Sequence, residues 1–295
     1  MVENTGKDKV FNWIIYLVMG IYAFITLLPL LFVLANSFSN PILVYRGEVG
    51  LIPKEFSLDG YANVFRHDGI IRGYLNTLMY TVIGTVIQLV LQFTAAYPLS
   101  RRDLKGKGVV NLYFVLTMFL SGGMIPTYFV VKNLQLINTI WAMIIPGCVG
   151  VYNIIIIRTY ISSTISWEYQ EAAMIDGAGP IKTFVSIIIP LCKPIIAVMT
   201  LYAIVGYWNS YFNSLLYLPD DKYWPLQRWL TRILINSNTG DLGSGAGQLG
   251  QQEQAMLSES IKYVVIVVAT VPILLIYPFF QKFFEKGLMV GGLKG

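Results

Sequence analysis

Apolar residues are gathered in long uninterrupted runs along this chain rather than in stripes. Runs free of Asp, Glu, Lys, Arg and His cover Trp13–Ala35, Gly73–Ser100, Val109–Val131, Asn133–Ile157, Pro194–Pro219 and Tyr263–Gln281. A helix crossing bilayer hydrocarbon needs roughly 20 residues, with a range of about 17 to 25, so all six runs suffice, the last narrowly. Helix is the expected conformation because backbone groups in lipid must be bonded within their own segment. Pro29, Pro126, Pro146 and Pro272 are tolerated in such spans where neighbours supply the missing partners. Long helices of a soluble bundle would instead need wide polar faces at helical spacing, which these runs lack. The pattern predicts an all-α integral membrane protein, one domain over 1–295, with spans near 12–36, 73–100, 109–131, 133–158, 190–217 and 261–283.

Composition agrees with lipid as the main solvent. Hydrophobic residues make up 55% of the chain and charged residues 13%, about half the charged share usual for a soluble domain. Lys7 and Lys9 precede the first run as in a signal peptide, but its apolar stretch is too long and no small-residue cleavage site follows, so it reads as a retained helix. Cys148 and Cys192 offer no framework of bridges, and both read as small packing residues. The single histidine, His67, excludes a histidine metal cluster and reads as an exposed loop residue.

Where the charges lie sets the orientation. With both termini inside, the cytoplasmic set is the N-terminus, RRDLKGKG (Arg101–Gly108), the Arg158–Lys193 segment and the C-terminal tail. It holds twelve of the 21 basic residues against seven of the 16 acids, while external segments hold nine of each. The whole net charge of +5 is therefore cytoplasmic, as the positive-inside rule requires, and nucleic acid is not needed to explain it. The external segments are 37–72 and 218–260, the latter containing the Gly- and Ser-rich NSNTGDLGSGAGQLGQQ, expected to be a mobile connector.

Between the fourth and fifth runs lies a polar stretch near 166–182, EYQEAAMIDGAGP. Trp167–Asp176 predicts a short helix ended by an Asp176-Gly177 turn, and Pro180 is suited to open the next helix. Ala172 and Ala173 leave a surface that another backbone could approach, and Glu171 and Asp176 give it charge. A rigid knob for a partner's groove and an amphipathic helix lying on lipid both fit this pattern.

Two polar stripes interrupt the spans. Thr81, Thr85, Gln88 and Gln92 recur at helical spacing in the second, and Asn209 and Asn213 in the fifth, among Tyr207, Trp208, Tyr211 and Phe212. Amides, hydroxyls and aromatic faces suit a sugar. Hydrogen bonding between helices accounts for the same residues.

The polar stretch resembles the signature of permease subunits in binding-protein-dependent ABC importers: Glu-Ala-Ala, three residues, Gly, nine residues, then Ile-x-Leu-Pro. The chain has Glu171-Ala172-Ala173, Gly177 and Ile187-Ile188-Ile189-Pro190, departing only in Ile189 for leucine. Ile125–Pro146, Trp208-Asn209 and the ending Lys286–Gly295 are similar to the carbohydrate branch, specifically the second permease subunit of maltose-type and oligosaccharide importers. The resemblance covers nearly the whole chain. It implies a type I ABC importer permease fold with six transmembrane helices and a cytoplasmic coupling helix, in a prokaryotic cell membrane.

It also implies partners: a second homologous permease forming a heterodimer, two ATPase subunits, and an extracellular or periplasmic sugar-binding protein. The substrate would be a di- or oligosaccharide. Glu171 would contact the ATPase, Ala172 and Ala173 would permit close docking, Asp176 and Gly177 would form the turn, and Pro190 closes the signature. The loop carrying Gly240, Gly243, Gly245 and Gly247 would reach into the binding protein, where a plain connector is the other reading. The tail Gly287–Gly295 would reach the ATPase dimer interface or be disordered. Trp208, Asn209, Tyr211, Asn213, Gln88 and Gln92 are the substrate-path candidates.

No GxxxxGK[ST] phosphate loop is present. The chain is therefore expected to bind no cofactor itself and not to be an enzyme, with ATP and Mg on the partner ATPase subunits. The rival reading, an ion-coupled secondary transporter, would need ionisable residues in its spans, and the six runs have none. A membrane enzyme would need a converging nucleophile and base or a metal cluster. A permease for a small solute other than sugar stays open.

Overall fold

The computed structural model describes residues 6–66, 68–239 and 248–292. Regular structure among them is helical, with one isolated antiparallel bridge between Ser39 and Phe56. In chain order the helices are α1 (Gly6–Ser37), α2 (Pro41–Tyr45), α3 (Asp59–Arg66), α4 (Asp68–Ser100), α5 (Lys107–Phe119), α6 (Met124–Asn133), α7 (Trp141–Ile144) and α8 (Val151–Thr164). There follow α9 (Glu168–Ile175), α10 (Pro180–Thr183), α11 (Ile189–Leu191), α12 (Lys193–Trp208), α13 (Tyr211–Tyr217), α14 (Leu226–Thr239) and α15 (Gln248–Gly292).

Among the described residues, three continuous helical stretches are long and apolar enough to cross a membrane: Lys9–Ser37, Asp68–Ser100 and Glu259–Gln281. The other three apolar runs differ from the unbroken spans expected. Each is a helix pair bent at a short break: α5 with α6 by 110°, Trp141–Gly147 with α8 by 52°, and Pro180–Leu191 with α12 by 81°. The breaks have local causes. Gly123 sits at φ +84° between α5 and α6, a left-handed conformation that side chains disfavour. Gln135 and Asn138 also take positive φ, so helix is absent at the start of the expected 133–158 span and extends to Thr164 instead. Pro190 and Pro194 flank the third bend, each lacking the N–H that a continuous helix would use.

The chain divides into two compact units, Met1–Ile70 with Leu230–Val271, and Ile71–Trp229 with Pro272–Gly295. In the first, Ala35, Val44 and Val49 pack with Leu43 and Tyr263. The Phe38 ring stacks on Phe56 and Tyr61, with centroids 5.7 and 5.0 Å away, and the Tyr61 hydroxyl donates to Ser37 Oγ at 2.9 Å. Gly60 has no side chain because Val264 is there: a Cβ would lie 2.8 Å from its Cγ2.

The second unit has a core of Phe93, Ala96, Tyr97 and Leu99 from α4, Ile154, Ile157 and Ile161 from α8, and Ile188, Cys192, Ile195 and Met199 around the third bend. Lipid tails are as apolar as these side chains, so close packing and interhelical hydrogen bonds rather than water exclusion hold such helices together. At the other end of α4, Tyr80 donates to the Tyr223 carbonyl at 2.7 Å, and Leu226 N–H to Thr77 Oγ1 at 2.8 Å.

Candidate functional site

The polar stretch between the fourth and fifth apolar runs folds as a short helix, a turn and a second helix. The first turn of α9 carries Glu168 and Glu171, whose charges suit the positive end of a helix dipole. At its other end Gly177 takes φ +73°. Its N–H reaches the Met174 carbonyl at 3.0 Å, and the Ala178 N–H reaches the Ala173 carbonyl at 2.8 Å, the paired bonds of a Schellman stop. Pro180 then opens α10, where its missing N–H costs nothing.

The element has an outer and an inner side. Glu171, Ala172, Asp176 and Gly177 are exposed, beside Ile175 and Ile181, which are 86% and 80% exposed. Ala173, expected beside Ala172 on the docking surface, is instead turned into the protein and buried, as is Gln170. The reason is periodicity: adjacent residues on a helix point about 100° apart, and α9 rests on its own chain at Gln170 and Ala173. Pro190 lies beyond, beside the third bend. The exposed isoleucines were not singled out from the sequence. The signal for them was two large apolar residues flanking a polar turn.

The inner side is fastened to the end of α4. Tyr97 stacks on Phe184, with centroids 4.9 Å apart, and its hydroxyl lies 3.5 Å from Gln170 Oε1. Arg101 donates to that hydroxyl at 3.1 Å, grips Asp103 through two nitrogens, and lies 5.8 Å from the Trp167 ring centre. The hydrogen bond from Arg101 holds the Asp103 carboxyl below the usual carboxylate range, and Asp103 in turn raises the guanidinium. Arg158 Nε donates to the Leu99 carbonyl at 3.2 Å, tying α8 to the same helix end.

A second feature lies within the helices. A cavity of about 240 Å³ is lined by Gln88, Met143, Gly147, Tyr202, Ala203, Gly206, Tyr207, Ser210 and Asn213. The Tyr207 ring closes over Gly84, where a Cβ would come within 2.4 Å of a ring carbon, and its hydroxyl donates to the Ile144 carbonyl at 3.3 Å. Gln88 and Asn213, from the two separate polar stripes, thus share one cavity.

The remaining path candidates do not join them. Asn209 and Asn213 were expected on one helix face, but α12 stops at Trp208 and α13 starts at Tyr211. Ser210 Oγ donates to the Tyr207 carbonyl at 2.6 Å, the local bonding by which serine competes with helix continuation. Asn209 is exposed and accepts from Gln227 Nε2 at 3.5 Å. Trp208 is buried in a T-shaped contact with Tyr74, centroids 6.1 Å apart, and Tyr211 is half-buried. Gln92 is fully buried, and among the described residues neither its Oε1 nor its Nε2 has a hydrogen-bond partner. The Thr81 and Thr85 hydroxyls are buried in the same condition.

The connector expected over Asn236–Gln252 is helical at both edges, in α14 through Thr239 and in α15 from Gln248. Gly240, Gly243, Gly245 and Gly247 lie outside the described residues. The tail expected to be thin or disordered is helical through Gly292, since extending an existing helix is far easier than starting one. Its last residues also lie outside.

A six-run, all-helical membrane chain with broken spans and a Gly-turned polar element outside them is a type I ABC importer permease fold. Residues 2–290 match the binding-protein-dependent transport system inner membrane component family, and the chain belongs to it. It is similar to protein LplC of Bacillus subtilis strain 168, 40% identical over 294 residues, covering 100% of this chain and 98% of that one. It is similar also to the polygalacturonan/rhamnogalacturonan transport system permease protein YtcP of that strain, 40% identical over 291 residues, covering 98% and 100%. Among solved structures, a bacterial ABC transporter involved in the import of the acidic polysaccharide alginate has a chain that superposes with a TM-score of 0.84 at 30% identity, covering 95% of this chain and 98% of its own.

Proposed function

We propose that this chain is one of two paired permeases through which an ABC importer passes a di- or oligosaccharide into the cell, and that α9, its turn and α10 form the cytoplasmic coupling helix. ATP and Mg are bound and ATP is hydrolysed on two separate ATPase subunits, and a sugar-binding protein delivers the substrate outside. The observation that carries this reading is the two-sided element. Glu171, Ala172, Ile175 and Ile181 stand free to enter a groove, while Tyr97, Arg101 and Trp167 hold the other side to α4. An amphipathic helix resting on lipid would have no use for that anchorage.

Gln88 and Asn213 offer amide groups, and Tyr202 and Tyr207 offer rings, around a cavity that suits one sugar residue. The relatives named for polygalacturonan/rhamnogalacturonan and for alginate support an acidic oligosaccharide. The cavity lining on this chain is uncharged, so it would meet hydroxyls and ring faces rather than carboxylates. The test is co-purification. A second permease and an ATPase dimer are expected to come with the chain, and Glu171→Lys is expected to lose the ATPase while the chain still inserts. Retention of the ATPase by Glu171→Lys would contradict the docking role.

A further inference from the structure

Tyr97 stands where the last turn of α4 meets both arms of the coupling element, and it is 5% exposed. Its ring and hydroxyl do different work. The ring stacks on Phe184, in the π turn that continues α10, with 25° between the planes. The hydroxyl lies 3.5 Å from Gln170 of α9 and accepts from Arg101. Gln170 and Phe184 flank the Gly177 turn, so one buried side chain grips both arms.

The same helix reaches the cavity. Gln88 lies nine residues before Tyr97 on α4. At roughly 1.5 Å of rise per residue this separates them by about 14 Å along the axis. The intervening LVLQFTAA contains neither glycine nor proline, so no hinge interrupts the rod.

We propose that Tyr97 is the positioning residue through which movement of the coupling element reaches α4 and the cavity. The proposal rests on the docking reading given above. A close-packed ring cannot shear smoothly past its neighbours, so displacement of α9 and α10 must carry α4 with it. Without the ring, the element would move while α4 stayed behind. The hydroxyl refines the grip by fixing α9 separately from α10. A residue that merely filled the core would alter stability alone.

The assembled importer, with its second permease and ATPase subunits in liposomes, tests this. A reporter cysteine, Ser210→Cys, is placed in the cavity, and its maleimide labelling rate is measured without nucleotide and with ATP, Mg and vanadate. With Tyr97 intact, nucleotide is expected to change the rate by about fivefold or more, the lower end of ordinary coupling between sites. Tyr97→Ala is expected to keep the ATPase bound and lose that response, and Tyr97→Phe to retain part of it. A full response in both variants overturns the role of Tyr97 and leaves docking intact. No response with Tyr97 intact overturns the docking reading, and this proposal with it. Should Tyr97→Ala fail to assemble, Tyr97→Phe decides: a response equal to that of Tyr97 overturns the proposal.

Discussion

Gly177 is where backbone conformation and docking can be separated. It holds φ +73°, where a side chain costs about 1–2 kcal/mol, yet a Cβ there would meet nothing within 4 Å. Gly177→Ala is therefore expected to lower thermal stability modestly and keep most uptake. Gly177→Trp adds bulk to an exposed turn and is expected to abolish uptake with insertion unchanged, as read by membrane fractionation beside a transport assay. Full uptake by a well-expressed Gly177→Trp chain would remove the turn from the docking surface. Gly84 is glycine for the opposite reason. Its φ is ordinary, and its space is taken by the Tyr207 ring. The turn was legible in the sequence, because Asp176-Gly177 and Pro180 act locally. The tyrosine over Gly84 was not, because that contact joins residues far apart in the chain. Ala173 carries the same lesson: its neighbour in sequence is exposed, and only tertiary contact decides which alanine turns inward.

At the level of elements, composition predicted which segments are apolar enough to span and could not predict which of them bend. α4 is one continuous helix through its apolar length, whereas α5 with α6 folds by 110°, although both runs are apolar enough to span. What separates them is backbone at single residues, above all Gly123 at φ +84°. The stop at Asn209-Ser210 likewise split an expected helical face and left Asn213 lining the same cavity as Gln88. This pairing gives the polar stripes a shared place that spacing alone could not assign. Gln88→Ala and Asn213→Ala are each expected to weaken sugar transfer several-fold, on the scale of about 0.5–1.5 kcal/mol for a lost hydrogen bond, with ATPase co-purification unchanged. Uptake kinetics at varied sugar concentration check this. Unaltered kinetics in both variants would return the two amides to a purely helix-packing role.

For the molecule as a whole, the charge distribution predicts that the Arg101–Gly108 loop and the proposed coupling element face the cytoplasm and that the 37–72 segment faces outward. A cysteine introduced at Lys105 is expected to react with an impermeant maleimide only in opened cells, and one introduced at Lys54 in intact cells. The reverse pattern would invert the topology and strand the coupling element outside. Family membership, the helical class and the short helix, turn and second helix of the polar stretch were legible from the chain, because a long gapped signature, local turn residues and apolar runs survive without tertiary detail. The fastening of that element to α4 was invisible there, because Tyr97, Arg101, Trp167, Gln170 and Phe184 belong to four separate segments.

The most direct test of the central claim asks what the tip of the coupling element touches. A photo-reactive amino acid replacing Ile175, the most exposed apolar residue of α9, is illuminated in the intact importer. The account predicts a covalent adduct with the ATP-hydrolysing subunit. An intact assembly in which Ile175 captures lipid alone would contradict it.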